Sequence, residues 1–130
     1  MRGAASPWIG DVRALEEQLR SGVDVDSLDR HGQTAVMLAA YNGHVESVER
    51  LVRHGAKLDV TAKYALSALM LAIVAGYEPV ARVLVRAGAD LTLRGTGAPG
   101  FSGKTAYDLA AGLGMKALCR DIAARTRAGA

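Results

Sequence analysis

The 130-residue sequence has a single cysteine, Cys119, so no intramolecular disulfide framework holds it together. Aromatic residues number only six (one Trp, four Tyr and one Phe), so rings cannot dominate its core. No run of about 18 uninterrupted apolar residues occurs, which leaves no candidate membrane span. The opening residues MRGAASPWIG lack the apolar stretch of a signal peptide. Charge of one sign is scarce too. The 16 Lys and Arg against 13 Asp and Glu give a net +3, and the cations are scattered, a poor basis for binding nucleic acid. A lone thiol fits a reducing, cytoplasmic setting. What the chain has in quantity is small and apolar: 24 Ala and 15 Leu, with 15 Gly between them. That content is too high for a disordered tail. It points to helices packed closely around small side chains, in one domain or a short array of repeated units.

The glycines keep time. Gly10, Gly43 and Gly76 lie 33 residues apart, as do Gly22, Gly55 and Gly88. Overlaying Asp29–Thr61 on Ala62–Arg94 places Thr34 on Ser67, Met37 on Met70, Leu38 on Leu71 and Leu51 on Leu84. A further copy follows from Gly103 if the offset widens to 38, and the five extra residues fall in the glycine-rich stretch RGTGAPGFS. The first copy, PWIGDVRALEEQLRSGVDVD, carries only a second half. Each copy reads as a hydroxyl, a short apolar helix, Gly, an amphipathic helix, Gly, and a polar extended segment. Thr34, Ser67 and Thr105 are placed to cap first helices, since a hydroxyl satisfies a free helix-start amide. The second helices turn Val48, Leu51 and Val52, then Val80, Val83 and Leu84, to one side. Pro79 sits in a first turn, where its missing N–H costs little. Gly22, Gly55 and Gly88 are placed to end those helices in left-handed caps. One such unit cannot bury its own apolar face, so neighbours must stack.

The pattern carried by Gly32, Thr34, Ala35, Leu38, Ala39, Ala40, Gly43, His44, Val48, Leu51, Gly55 and Ala56 resembles the ankyrin repeat. The resemblance covers residues 8–124. It implies an all-α solenoid of stacked helix-turn-helix units with hairpin-like finger loops. Residues 1–130 then form a single domain, with a partial copy over about 1–28, full copies at 29–61 and 62–94, and a copy with a lengthened loop at 95–127. The chain departs from the family's Thr-Pro-Leu-His, which here is TAVM, SALM and TAYD. The Pro and His are missing throughout, and with them the basis for the hydrogen bonds that usually join neighbouring repeats there. Ala62 and Ala65 replace the usual Asp and Gly of one finger turn.

Members of this family generally bind macromolecules on the concave face made by finger tips and first helices. The resemblance places that face on Trp8, Arg30, His31, Gln33, Tyr41, Asn42, Lys63, Tyr64, Leu66, Phe101 and Lys104, with Ile9, Val74, Ala75, Ser102 and Leu113 among them and His54 and Arg94 flanking. Four of the six aromatics (Trp8, Tyr41, Tyr64 and Phe101) fall on these positions, and aromatics carry much interface energy because they bury area with few rotors. The expected function is non-catalytic protein binding without cofactor, metal, nucleic acid or membrane. The competing structural roles are that Trp8 closes the open first unit and Phe101 pins the long loop. A further alternative is weak self-association through the exposed aromatics.

Other motifs compete with the repeat. APGFSGKT, Ala98 to Thr105, satisfies a loose phosphate-loop pattern, in which backbone amides would wrap phosphates and Lys104 would neutralise them. Gly103, Lys104 and Thr105 already have a place in the repeat register, however, and a helical period leaves no room for the parallel sheet such a loop serves. His31, His44 and His54 lack metal-ligand company. Asp24, Asp26 and Asp29 lack the Glu that closes a calcium loop and read as a polar finger base. Cys119 aligns with Val48 and Ala81 and reads as a small buried hydrophobe. Glu46, Glu49, Arg50 and Arg53 form a solvated mixed-charge face.

Overall fold

The computed structural model of the chain describes residues 7–97 and 100–128. A 3₁₀ turn at Pro7–Gly10 leads into α1 (Val12–Arg20). Three helix pairs follow: α2 (Ala35–Tyr41) with α3 (Val45–Arg53), α4 (Ala68–Ala75) with α5 (Glu78–Arg86), and α6 (Ala106–Gly112) with α7 (Lys116–Ala128). The three hydroxyls cap the inner helices as expected. Thr34 Oγ1 accepts from Met37 N at 3.3 Å, Ser67 Oγ from Met70 N at 3.3 Å, and Thr105 Oγ1 from Asp108 N at 3.2 Å. Gly22, Gly55 and Gly88 all take positive φ just past the outer helices, and Pro79 stands in the first turn of α5.

The two kinds of helix differ because their surroundings differ. α4 is apolar almost all round, and Ala68–Ile73 is buried without a break, since α2, α5 and α6 enclose it. The outer helices are amphipathic and bury one stripe: Leu15, then Val48 and Leu51, then Val80, Ala81 and Leu84, then Leu118 and Ile122. Val52 and Val83, expected on that stripe, are only half-buried at its edge. No aromatic belongs to the buried core of the described residues, which is filled by Ala, Leu, Val, Ile and Met.

Cys119 departs from expectation. Its equivalents Val48 and Ala81 are fully buried, but Cys119 is half-exposed, because among the described elements no helix pair packs on the far side of α6–α7. Partial burial and the charge of Glu78 still push its thiol pKa up, so it is a poor nucleophile.

Neighbouring units are joined at the finger bases rather than at the absent Pro and His. Asp26 Oδ1 accepts from Lys57 N at 2.8 Å, and 33 residues on, Asp59 Oδ1 accepts from Asp90 N at 2.8 Å. Asp24 caps Asp26 N, and Asp29 accepts from His31 N and Gln33 N, so the acidic cluster serves backbone amides. Ile9, placed by the resemblance on the partner face, is instead buried, and its carbonyl accepts a 2.6 Å bond from Ser47 Oγ. A side chain in the inter-helix turn also leans on the glycine of the preceding unit: His44 on Gly10, and Tyr77 on Gly43.

Candidate functional site

Three fingers rise before α2, α4 and α6, and the same pair of backbone bonds closes each. In the first, Asp29 N donates to Gln33 O and Gly32 N to Asp29 O. In the second, Ala62 N donates to Leu66 O and Ala65 N to Ala62 O. In the third, Gly95 N donates to Lys104 O at 3.0 Å and Gly103 N to Gly95 O at 2.9 Å. The five extra residues are therefore looped out inside the third turn, and α6 starts in register. Position three of each turn has positive φ: Gly32 at +73°, Ala65 at +58° and Gly103 at +74°. The second turn, lacking Asp and Gly, draws Tyr64 to φ +62° as well and becomes a short 3₁₀ segment, Lys63–Ala65. The irregularity implied by Ala62 and Ala65 is present.

The register arranges the candidate residues in rows. Arg30, Lys63 and Phe101 are equivalent on the finger tips, as are Gln33, Leu66 and Lys104. Tyr41, Val74 and Gly112 are equivalent at the ends of the inner helices, as are Asn42, Ala75 and Leu113. Finger and helix rows meet at the third unit, where Val74, Phe101, Lys104, Asp108, Leu109 and Leu113 surround a hollow of about 250 Å³.

Individual residues fare differently. Tyr41 is 52% exposed at the end of α2. Arg30, His31, Lys63 and Lys104 are exposed, and Gln33 is half-buried. Asn42 is exposed, but its Nδ2 donates back to Leu38 O at 2.7 Å. Leu66 is a correction: it is 4% exposed and joins the core, because the middle finger is flanked on both sides and its apolar side chain turns inward. Tyr64 and Phe101 chiefly face each other, with ring centroids 5.6 Å apart. Phe101 also packs on the core. The long loop lies over Tyr64: Gly97 rests against the ring, and Thr96 N donates to Tyr64 O at 2.8 Å. Lys63 Nζ sits 5.0 Å from the Tyr64 centroid. Phe101 thus pins the loop, as its structural reading had it, and Tyr64 is the floor it is pinned to. The side chain of Trp8 and residues Ala98 and Pro99 lie outside the described part. Leu113, at 57% exposed, has a higher fractional exposure than any of the described aromatics.

The start of α6 is closed by its own side chains. Asp108 Oδ2 accepts from Thr105 N at 3.0 Å while Thr105 Oγ1 accepts from Asp108 N, a reciprocal capping box. The bond from Thr105 N, then the Thr105 side chain, and last the charges of Arg94 and Lys104 hold the Asp108 carboxyl below the usual carboxylate range against the opposing effect of burial. A carboxylate therefore stands where the phosphate-loop reading needs a phosphate. The Thr-x-x-Asp spacing, Thr105 to Asp108, was the available signal for this cap. Arg94 reaches across the finger base, its Nη1 donating to Gly103 O at 2.6 Å.

Away from the fingers, Glu16 of α1 lies 3.4 Å from both Arg50 and His54 of α3. Burial raises its pKa, but the hydrogen bonds and charges of those partners outweigh it, and Glu16 is held below the usual range. Arg50 bridges on to Glu46 at 3.2 Å, so part of the mixed-charge face is an inter-helix network.

Among the described residues, no group of three or more His, Cys, Asp or Glu could hold a metal ion, and no helix is long and apolar enough to cross a membrane. No curated protein matches the chain. The sequence model of the family described as ankyrin repeats (3 copies) matches residues 3–95, and the α6–α7 pair beyond it keeps the same cap and finger closure. Ankyrin repeats are generally protein–protein interaction modules and typically non-catalytic. With a family match over most of its length and stacked helix pairs joined by finger loops, the chain belongs to the ankyrin-repeat family.

Proposed function

We propose that the chain is a non-catalytic, cytoplasmic module that binds another protein through its finger tips and inner-helix ends, and that the three matched copies and the α6–α7 pair act as one four-unit domain. The observation that carries this is the placement of exposed apolar side chains. Tyr41 and Leu113 stand more than half exposed at the inner-helix ends, and Arg30, Lys63 and Lys104 are exposed on the fingers. Exposed apolar side chains together with cations suit a partner interface, where aromatics and Arg concentrate binding energy. Tyr64 contributes its exposed edge while bracing the third finger.

The test is affinity for a partner captured on the intact chain. Tyr41→Ala is expected to weaken binding about tenfold or more, in line with loss of one aromatic anchor. Glu46→Ala, on the outer helices, is expected to leave it unchanged. The opposite pattern would place the interface on the outer helices and overturn the reading.

A further inference from the structure

We infer that the hollow beside the third finger is a specificity pocket for an extended acidic segment of the partner, with one apolar side chain seated between Val74, Phe101, Leu109 and Leu113 and a neighbouring carboxylate on Lys104. This rests on the proposed binding face and adds the partner's chemistry to it.

Four apolar side chains, Val74, Phe101, Leu109 and Leu113, line the hollow together with Lys104 and Asp108. At about 250 Å³ it falls below the size of ordinary small-molecule and cofactor sites, which run from roughly 300 to 1,000 Å³. An inserted side chain suits it better than a free ligand. The first two turns close after three intervening residues, whereas the third closes between Gly95 and Lys104 and places Phe101 opposite Leu109 and Leu113. Phe101 is held from behind by Tyr64, so the wall is braced before any partner arrives.

The charges around the hollow select the partner's sign. Asp108 is exposed and spends one carboxylate oxygen on the Thr105 N cap, and Arg94 is committed to Gly103 O. Lys104 is exposed and, among the described residues, makes no ion pair within 4.0 Å. Arg94 and Lys104 together outweigh the single carboxylate of Asp108, with Lys63 on the adjacent finger adding to the positive field. A single free amine over an apolar wall fits an apolar residue flanked by Asp or Glu. A polyanion such as nucleic acid would leave the wall unused.

Selection of a random linear peptide library on the immobilised full chain tests this. Recovered peptides are expected to carry Leu, Ile, Met or Val flanked by Asp or Glu. Their affinity should fall about tenfold with Leu113→Ser and about tenfold with Lys104→Glu, and the latter should also flatten the salt dependence. Both side chains are exposed, so unchanged melting temperatures separate these losses from misfolding. Glu49→Ala on the outer face should change nothing. If no acidic-apolar pattern emerges, or if peptides bind regardless of Leu113 and Lys104, the inference is wrong. Peptides lost with Tyr41→Ala but indifferent at the groove would sink the pocket and spare the binding face. Peptides lost only with Glu49→Ala would sink both. Tight binding of a labelled oligonucleotide, lost with Lys104→Glu but not Leu113→Ser, would assign the cations to a polyanion instead.

Discussion

Ala65 holds φ +58° at a turn position that the other two fingers give to glycine. An L-residue with a Cβ pays for that conformation in steric crowding of about 1–2 kcal/mol. Ala65→Gly should therefore stabilise the protein by about 0.5–1 kcal/mol, net of the greater freedom glycine has when unfolded, read as a rise in urea midpoint. A fall would mean the crowding is relieved by the distortion at Tyr64. Gly43 makes the converse case. A methyl group there would lie 2.6 Å from Cε1 of Tyr77, at φ +75°. Gly43→Ala should cost more than about 1 kcal/mol, and Tyr77→Ala should recover part of that loss in a double-mutant cycle. Strictly additive losses would show that the ring does not matter. Caps such as Thr34 and Ser67 were readable because they depend on neighbours three residues away. Leu66 was misread for the opposite reason: register equates it with Gln33 and Lys104, but burial depends on what flanks each finger.

Among the elements, the outer helices show their packing in their spacing, and the inner ones do not. α4 has no polar face to read, because other helices surround it. Leu51 and Leu84 anchor α3 and α5, and both are fully buried. Leu84→Ala should cost about 2–5 kcal/mol, much of what a small domain has. The expected result is loss of a single cooperative melt in circular dichroism, and a wild-type melt would refute the core assignment. Cys119 shows the limit of reading by period. Repeat arithmetic finds the equivalent of Val48 and Ala81 but not the missing neighbour that leaves its thiol half-exposed. The third finger was legible as an insertion and as a departure from a phosphate loop. Its hollow was not, because that depends on where Phe101 lands against Leu109 and Leu113.

For the molecule as a whole, three carboxylates in different units respond alike to acid. Glu16 is held low by His54 and Arg50 against the opposing effect of burial, Asp90 by its bonds from Thr92, and Asp108 by its bond from Thr105. A carboxylate whose folded pKa is depressed stabilises the fold fully above its unfolded pKa and loses that contribution as pH falls through its folded one. Melting temperature should accordingly be flat near neutrality and drop through the carboxylate range, below about pH 5. Glu16→Gln should lower the neutral value and make the acid decline shallower. An unchanged acid slope would remove the α1–α3 network from the account. That helix pairs must stack on their neighbours was legible from the 33-residue register, because one such unit cannot bury its own apolar face. The division of labour among the aromatics was not, since two of them spend their rings on each other.

The closure of the third finger also makes it a graft point. Its two backbone bonds, Gly95 to Lys104 and Gly103 to Gly95, restore the register whatever is threaded between them. Chain length at the tip is therefore uncoupled from the helices beneath, and lengthening a loop adds closure entropy only slowly. Foreign sequence spliced between Gly97 and Gly100 would be displayed from a fixed base, turning the array into a scaffold for a chosen peptide.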